Sequence, residues 1–108
     1  MTIQTAPDPR FDEMLKSLAN PVRRNILVAL KHPDQNFPGQ EHPYEWGVCA
    51  GKIEAGCGLS QSTVSAHLAQ MHQAGLLHVK KIGQFIFYQR DEAAITGFLN
   101  RLTHELHL

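Results

Sequence analysis

From Pro9 onward apolar residues recur at helical spacing, with Phe11, Met14 or Leu15, and Leu18 on one face. Asn20-Pro21 then sets a capping side chain before a residue suited to the first helical position. The next helix carries Val22, Ile26, Leu27 and Leu30 inward, and Pro33 is expected to end it. Residues 32–47 lose the period and hold three prolines and two glycines, which predicts a long loop insertion. Connections of that length within a compact domain are often functional. Phe37, Tyr44 and Trp46 in it are expected to pack down beside the body. Residues 48–55 read as a short helix resting on Val48 and Ile53, followed by a Gly56-Cys57-Gly58 turn. Ser60 is a suitable N-cap, and Leu59 and Val64 stand at the two positions of a hydrophobic staple. The helix it opens runs to about Ala74, with Val64, Leu68 and Met71 inward and Gly75 at its end. Residues 76–82 and 84–90 are β-like and joined at Gly83, a hairpin whose buried face is expected to be Leu77, Val79, Phe85 and Phe87. Asp91 begins a last helix with Ile95, Phe98, Leu99, Leu102 and Leu106 as an apolar stripe. Residues 1–8 are polar and expected to be disordered.

The order of short helix, turn, capped helix and hairpin is that of a helix-turn-helix with a wing. The expected fold is therefore mainly α with a β-hairpin wing (α+β), a single winged helix-turn-helix domain over residues 1–108. A chain of 108 residues supports one core of modest stability, which a second subunit would reinforce. No apolar run approaches the roughly 20 residues of a membrane span, and the N-terminus lacks a secretion signal, so the expected location is cytoplasmic, away from membranes.

Net charge is zero, which on its face argues against nucleic acid. Its distribution reverses that reading. Between Glu54 and Asp91 there is no acidic residue, while Lys80, Lys81, Arg90, His67, His72 and His78 fall in the same stretch. An acid-free face on a neutral protein can still approach phosphate. Gln61, Ser62, Thr63 and Ser65 offer short hydrogen-bonding groups where a recognition helix meets base edges. Gln pairs bidentately with adenine, and the helix N-terminus presents N–H groups to phosphate. The same residues also serve capping alone, and a winged helix can act as a protein-interaction module that never touches DNA. The acid-free stretch weighs against that second reading. No phosphate loop, nucleophile elbow or paired catalytic residues occur, so an enzyme is not expected.

The run Leu18-Ala19-Asn20-Pro21-Val22-Arg23-Arg24-Asn25-Ile26-Leu27 resembles the opening of the ArsR/SmtB family. Gly58 to Leu68, then Ala74-Gly75-Leu76-Leu77, resembles that family's recognition helix and its exit, and Gly83 with Phe87-Tyr88 its wing. The resemblance implies a homodimer joined through the first and last helices and bound to an inverted repeat of double-stranded DNA, as a repressor. It implies Gln61, Ser62, Thr63, Ser65 and His67 as recognition positions and Lys80, Lys81 and Gln84 as wing positions. Arg23 and Arg24 are expected to be structural or to face phosphate.

Members of that family commonly release DNA when a metal or another inducer binds. Cys49 stands at the first cysteine of one family metal box, but Gly51 and Glu54 occupy the next positions. A second family site has Glu92 and Ala94 at its early positions, leaving His104 and His107 without obvious partners. No cofactor is expected to be required. A metal-responsive repressor would need a non-standard site drawn from Cys49, His42, His104 and His107, with His32, Asp34, Glu41 and Glu45 as further loop candidates or simply solvated residues. Thiol oxidation or electrophile modification at Cys49 or Cys57 is the leading sensing candidate, set against two merely buried thiols. In one continuous helix the two cysteines would stand about 12 Å apart, beyond disulfide reach. The glycines at 56 and 58 would allow approach by breaking that helix.

Overall fold

The computed structural model describes residues 8–108. The expectation of a disordered start falls, for residues 1–7, outside the described residues. Asp8 is the N-cap of α1 (Pro9–Leu18), its side chain accepting from the Phe11 N–H. Phe11 and Met14 face the core and Leu15 points outward, which settles the choice between positions 14 and 15. In α2 (Pro21–Ala29) the Asn20 side chain accepts from the N–H groups of Val22 and Arg23 at 2.8 and 3.2 Å. Such a cap contributes about 1 kcal/mol. Ile26, Leu27 and Leu30 are buried as expected, and Val22 packs against them half-buried.

Pro33 does more than stop α2. It opens α3 (Pro33–Asn36), a single turn, and a 3-10 turn follows at Tyr44–Trp46. The 32–47 insertion thus has structure of its own. The Tyr44 hydroxyl donates to the Phe37 carbonyl, and Phe37 is buried.

Val48–Cys49 is not the start of a helix but a two-residue strand, β1, paired antiparallel with β3 (Phe85–Arg90). Val48 pairs with Tyr88 and Cys49 with Phe87, a long-range pairing that local periodicity cannot register. The helix α4 occupies Ala50–Cys57, so the expected turn at residues 56–58 is shifted and Cys57 closes the helix. Gly58 ends it in the left-handed region.

Helix α5 (Gln61–Gln73) starts at Ser60 and buries Val64, Leu68 and Met71. With Ile53, Leu76 and the inner residues of α1 and α2 these form the core. Burying each such side chain fully stabilises by roughly 1.5–3 kcal/mol. The hairpin of β2 (Leu77–Ile82) and β3 turns at Gly83-Gln84, and the sheet order is β1-β3-β2.

The expected single buried face of the hairpin is incorrect. Leu77 and Val79 pair with Arg90 and Tyr88, whereas Phe85 and Phe87 pair with Ile82 and Lys80. Directly opposed residues share a face, so the two apolar sets lie on opposite sides. Leu77 enters the core while Phe87 is buried beneath the 32–47 insertion, and Val79 and Phe85 are exposed farther out. The sheet root is covered on both sides, a state that alternation of apolar and polar residues does not describe. Helix α6 (Glu92–Glu105), capped by Asp91, stacks Phe98 on Phe11 with centroids 5.1 Å apart.

Candidate nucleic-acid interface

Three elements converge on one surface: α4, α5 and the ribbon that follows. The Ser60 hydroxyl accepts from the Thr63 N–H at 3.3 Å and lies 2.7 Å from the Thr63 hydroxyl. This occupies Thr63 in capping, with the Ser62 hydroxyl 3.4 Å from the same Ser60 oxygen, and leaves Gln61 and Ser65 as the free polar groups of the first turns. All of these residues are exposed, and so are Ala66 and Ala69 farther along the same outer side. No long side chain stands there to hold the helix back from a groove. Ala66, Ala69 and, at the far end, the exposed His72 and Gln73 were not among the expected recognition positions.

His67 is placed differently from the other recognition positions. It is half-buried, and its Nδ1 lies 3.3 Å from Arg23 Nη1. With the guanidinium as donor, Nδ1 must accept, so Nε2–H is the donor left to a ligand. Arg23 also donates to the carbonyls of Ser17 at 2.9 Å and Lys16 at 3.2 Å. It therefore ties the C-terminal end of α1 to the recognition helix. Arg24 donates to the Leu18 carbonyl at 2.6 Å. The structural role expected for both arginines is what these contacts describe.

On the wing, Lys80, Lys81 and Gln84 are exposed. Lys80 pairs with Phe87 and Lys81 with Ile86, so the two ammonium groups leave opposite faces of the ribbon. They straddle the wing rather than forming one patch. At its root, His78 Nε2 lies 3.3 Å from Asp91 Oδ2, and Arg90 donates to the Leu27 carbonyl at 3.2 Å.

The sensing candidates are not gathered. Among the described residues no three His, Cys, Asp or Glu side chains come together as a metal site. His42 is stacked among aromatic rings, and His104 and His107 are exposed near the end of the chain. His32, Asp34, Glu41 and Glu45 are exposed. Cys49 caps the start of α4 and Cys57 ends it, both free thiols. The unbroken helix puts them about 12 Å apart, outside the roughly 7 Å Cα separation of a disulfide. The glycine break that would bring them together is absent from this helix. Burial pushes the Cys57 thiol above its ordinary pKa, which makes it the poorer nucleophile at neutral pH.

A short helix, a turn, a capped helix with a small polar outer side and a lysine-bearing ribbon define a winged helix-turn-helix, the architecture of DNA-binding transcriptional regulators. Residues 48–79 match the family model described as bacterial regulatory protein, arsR family. The HTH-type transcriptional regulator YbzH of Bacillus subtilis is 36% identical over 96 residues, covering 87% of this chain and 96% of that protein. The chain belongs to the ArsR family of transcriptional regulators. A crystal structure of an ArsR family transcriptional regulator superposes with a TM-score of 0.70 at 13% identity, covering 91% of this chain and 93% of that one. The homodimeric winged helix-turn-helix DNA-binding domain of Mb0332 from Mycobacterium bovis gives 0.61 at 22% identity, covering 98% and 94%. These two likenesses bear on the fold. Among the described residues no helix is long and apolar enough to cross a membrane.

Proposed function

We propose that the chain is a homodimeric repressor of an inverted-repeat operator, with α5 of each subunit in a major groove and the wing against the adjacent backbone. The observation that carries this reading is the outer side of α5: small, polar, free of acid and opened by Ser60. A two-fold dimer reads a two-fold site, with half-sites about 34–36 Å apart. The Mb0332 domain, homodimeric by its description, supports the pairing. So do Leu15, Leu99 and Leu106, exposed on the first and last helices. Repression by occlusion requires only a DNA face and a dimer face, and in this reading the outer side of α5 and the exposed leucines of the first and last helices serve as these. Selection of binding sites from random duplexes tests the reading. Enrichment of an inverted repeat is expected, and recovery of no consensus removes it.

Release by thiol modification falls to Cys49 in this reading. It sits half-buried at the start of α4, whereas burial raises the pKa of the Cys57 thiol and disfavours its reactive thiolate. Addition of Cys49 to an activated alkene would form an S–C bond, consume the π bond and take a proton from water. The adduct would push β1 from β3 and move the helix-turn-helix. Cys49→Ser is expected to stay on operator DNA under N-ethylmaleimide while wild type dissociates. Equal response of the two proteins removes Cys49 as the sensor.

A further inference from the structure

The 32–47 insertion is fastened to the wing. His42 sets its ring 4.7 Å from Phe85, 5.2 Å from Phe87 and 5.8 Å from Trp46, centroid to centroid. Trp46 meets Phe87 edge-on at 5.5 Å. Gln89 Nε2 donates to the Glu45 carbonyl at 2.7 Å. Gly47, at φ +103, lies so close to β3 that a Cβ there would sit 2.6 Å from the Tyr88 carbonyl oxygen. The other end of the segment is tied to the helix-turn-helix. Gln40 Oε1 accepts from the Cys49 N–H at 2.9 Å, just before α4, and its Nε2 donates to the carbonyls of His42 and Gly47 at 3.1 and 3.0 Å.

A two-stranded ribbon is marginal by itself. Beyond Leu77 and Phe87 this one leaves the core, and Phe85, directly after its turn, finds His42 as its aromatic support. We propose that residues 40–47 are a strut that fixes the angle of the wing to α5, and that His42 is its positioning residue. By gripping the outer half of β3, His42 decides where Lys80, Lys81 and Gln84 meet the DNA backbone. This rests on the DNA-binding reading above. It also gives the insertion a task, one that neither a metal nor a catalytic role supplies.

The test uses the full chain. In free His42→Ala protein, amides of residues 82–87 are expected to exchange faster while those of α5 keep their protection. Operator affinity is expected to fall about tenfold, with a salt slope shallower by about 2, the signature of two lost lysine–phosphate contacts. His42→Phe restores both. In a Lys80→Ala, Lys81→Ala background His42→Ala adds no further loss, because the pair acts through one element. Unchanged exchange in the wing of His42→Ala overturns the proposal, and so does a loss fully additive with the lysines. Should His42→Ala fail to fold, Gln89→Ala removes one anchor more gently, and unaltered wing exchange there is equally fatal. If wild type binds no specific DNA yet His42→Ala still loosens the wing, the DNA reading fails and the strut survives.

Discussion

Helices α5 and α6 are nearly equal in length, 13 and 14 residues, and both lay an apolar edge on the same core. Their outer sides are opposites. In α5 the apolar residues are spent inward, with Val64 and Met71 wholly buried, and the outside is Gln, Ser and Ala. In α6 only Phe98 is buried, Ile95 and Leu102 are half-covered, and Leu99 and Leu106 remain 58% exposed. Water suits the first surface and not the second. In the reading proposed above, what each helix leaves outside points to its partner: the polar, acid-free side of α5 to DNA, the apolar side of α6 to protein.

Emptying the polar side gives the largest expected effect. Gln61→Ala with Ser65→Ala removes two groups one helical turn apart that the proposed reading sets against base edges, where a good bidentate pair is worth about 1–3 kcal/mol of discrimination. Specific affinity should fall by about a hundredfold or more in fluorescence anisotropy, with circular dichroism unchanged. Near wild-type affinity would remove α5 as the base-reading helix. Leu99→Lys with Leu106→Lys attacks the other side. Sedimentation should show monomers, with inverted-repeat affinity reduced by about tenfold or more and half-site affinity retained. A dimer that persists would mean the apolar side of α6 serves something else. A smaller effect is expected between the two helices, at the brace from α1 to α5. Arg23→Ala should cost about 1–3 kcal/mol in urea unfolding, since it removes the guanidinium's hydrogen bonds to the Ser17 and Lys16 carbonyls and its contact with His67. No loss would mean that water replaces the guanidinium at no cost.

Much of this contrast was readable in the sequence because it is local. Asn20, Ser60 and Asp91 cap the helices they appeared to cap, and the inward residues of α5 follow from spacing alone. What was not readable depends on long-range pairing. Val48–Cys49 is a strand only because β3 lies beside it, and no two-residue window can announce that. Phe87 is buried as expected but on the face opposite Leu77, because the insertion covers a sheet face that a lone hairpin would leave wet, while Val79 and Phe85 are exposed. Spacing also gave no sign that the Thr63 hydroxyl lies 2.7 Å from the Ser60 capping oxygen, or that His67 Nδ1 lies 3.3 Å from the Arg23 guanidinium. The exposed alanines of α5 carried no signal of their own, because small size counts only once a helix is known to approach something.

The smallest expected effect lies where α6 meets α1. Arg101 pairs with Asp8 and lies 4.9 Å over the Phe11 ring, while Asp8 also caps α1. The Phe11 N–H, and after it Arg101, hold the Asp8 carboxyl below its ordinary value of 3.8, with desolvation opposing them. A carboxyl depressed in the folded state stabilises fully above its unfolded pKa, and that contribution fades as pH falls through the folded value. Wild type and Asp8→Asn should therefore differ slightly in urea midpoint at neutral pH. The gap should close below 3.8 and vanish once the folded carboxyl is protonated. Because Asp8 is solvent-accessible, salt should shrink the neutral-pH gap as well. A gap that persisted in acid would show that the contribution does not come from the carboxylate charge. In that case the α1–α6 contact would rest on Phe11 and Phe98 alone, and the outer leucines of α6 would be the only part of that helix still waiting for a partner.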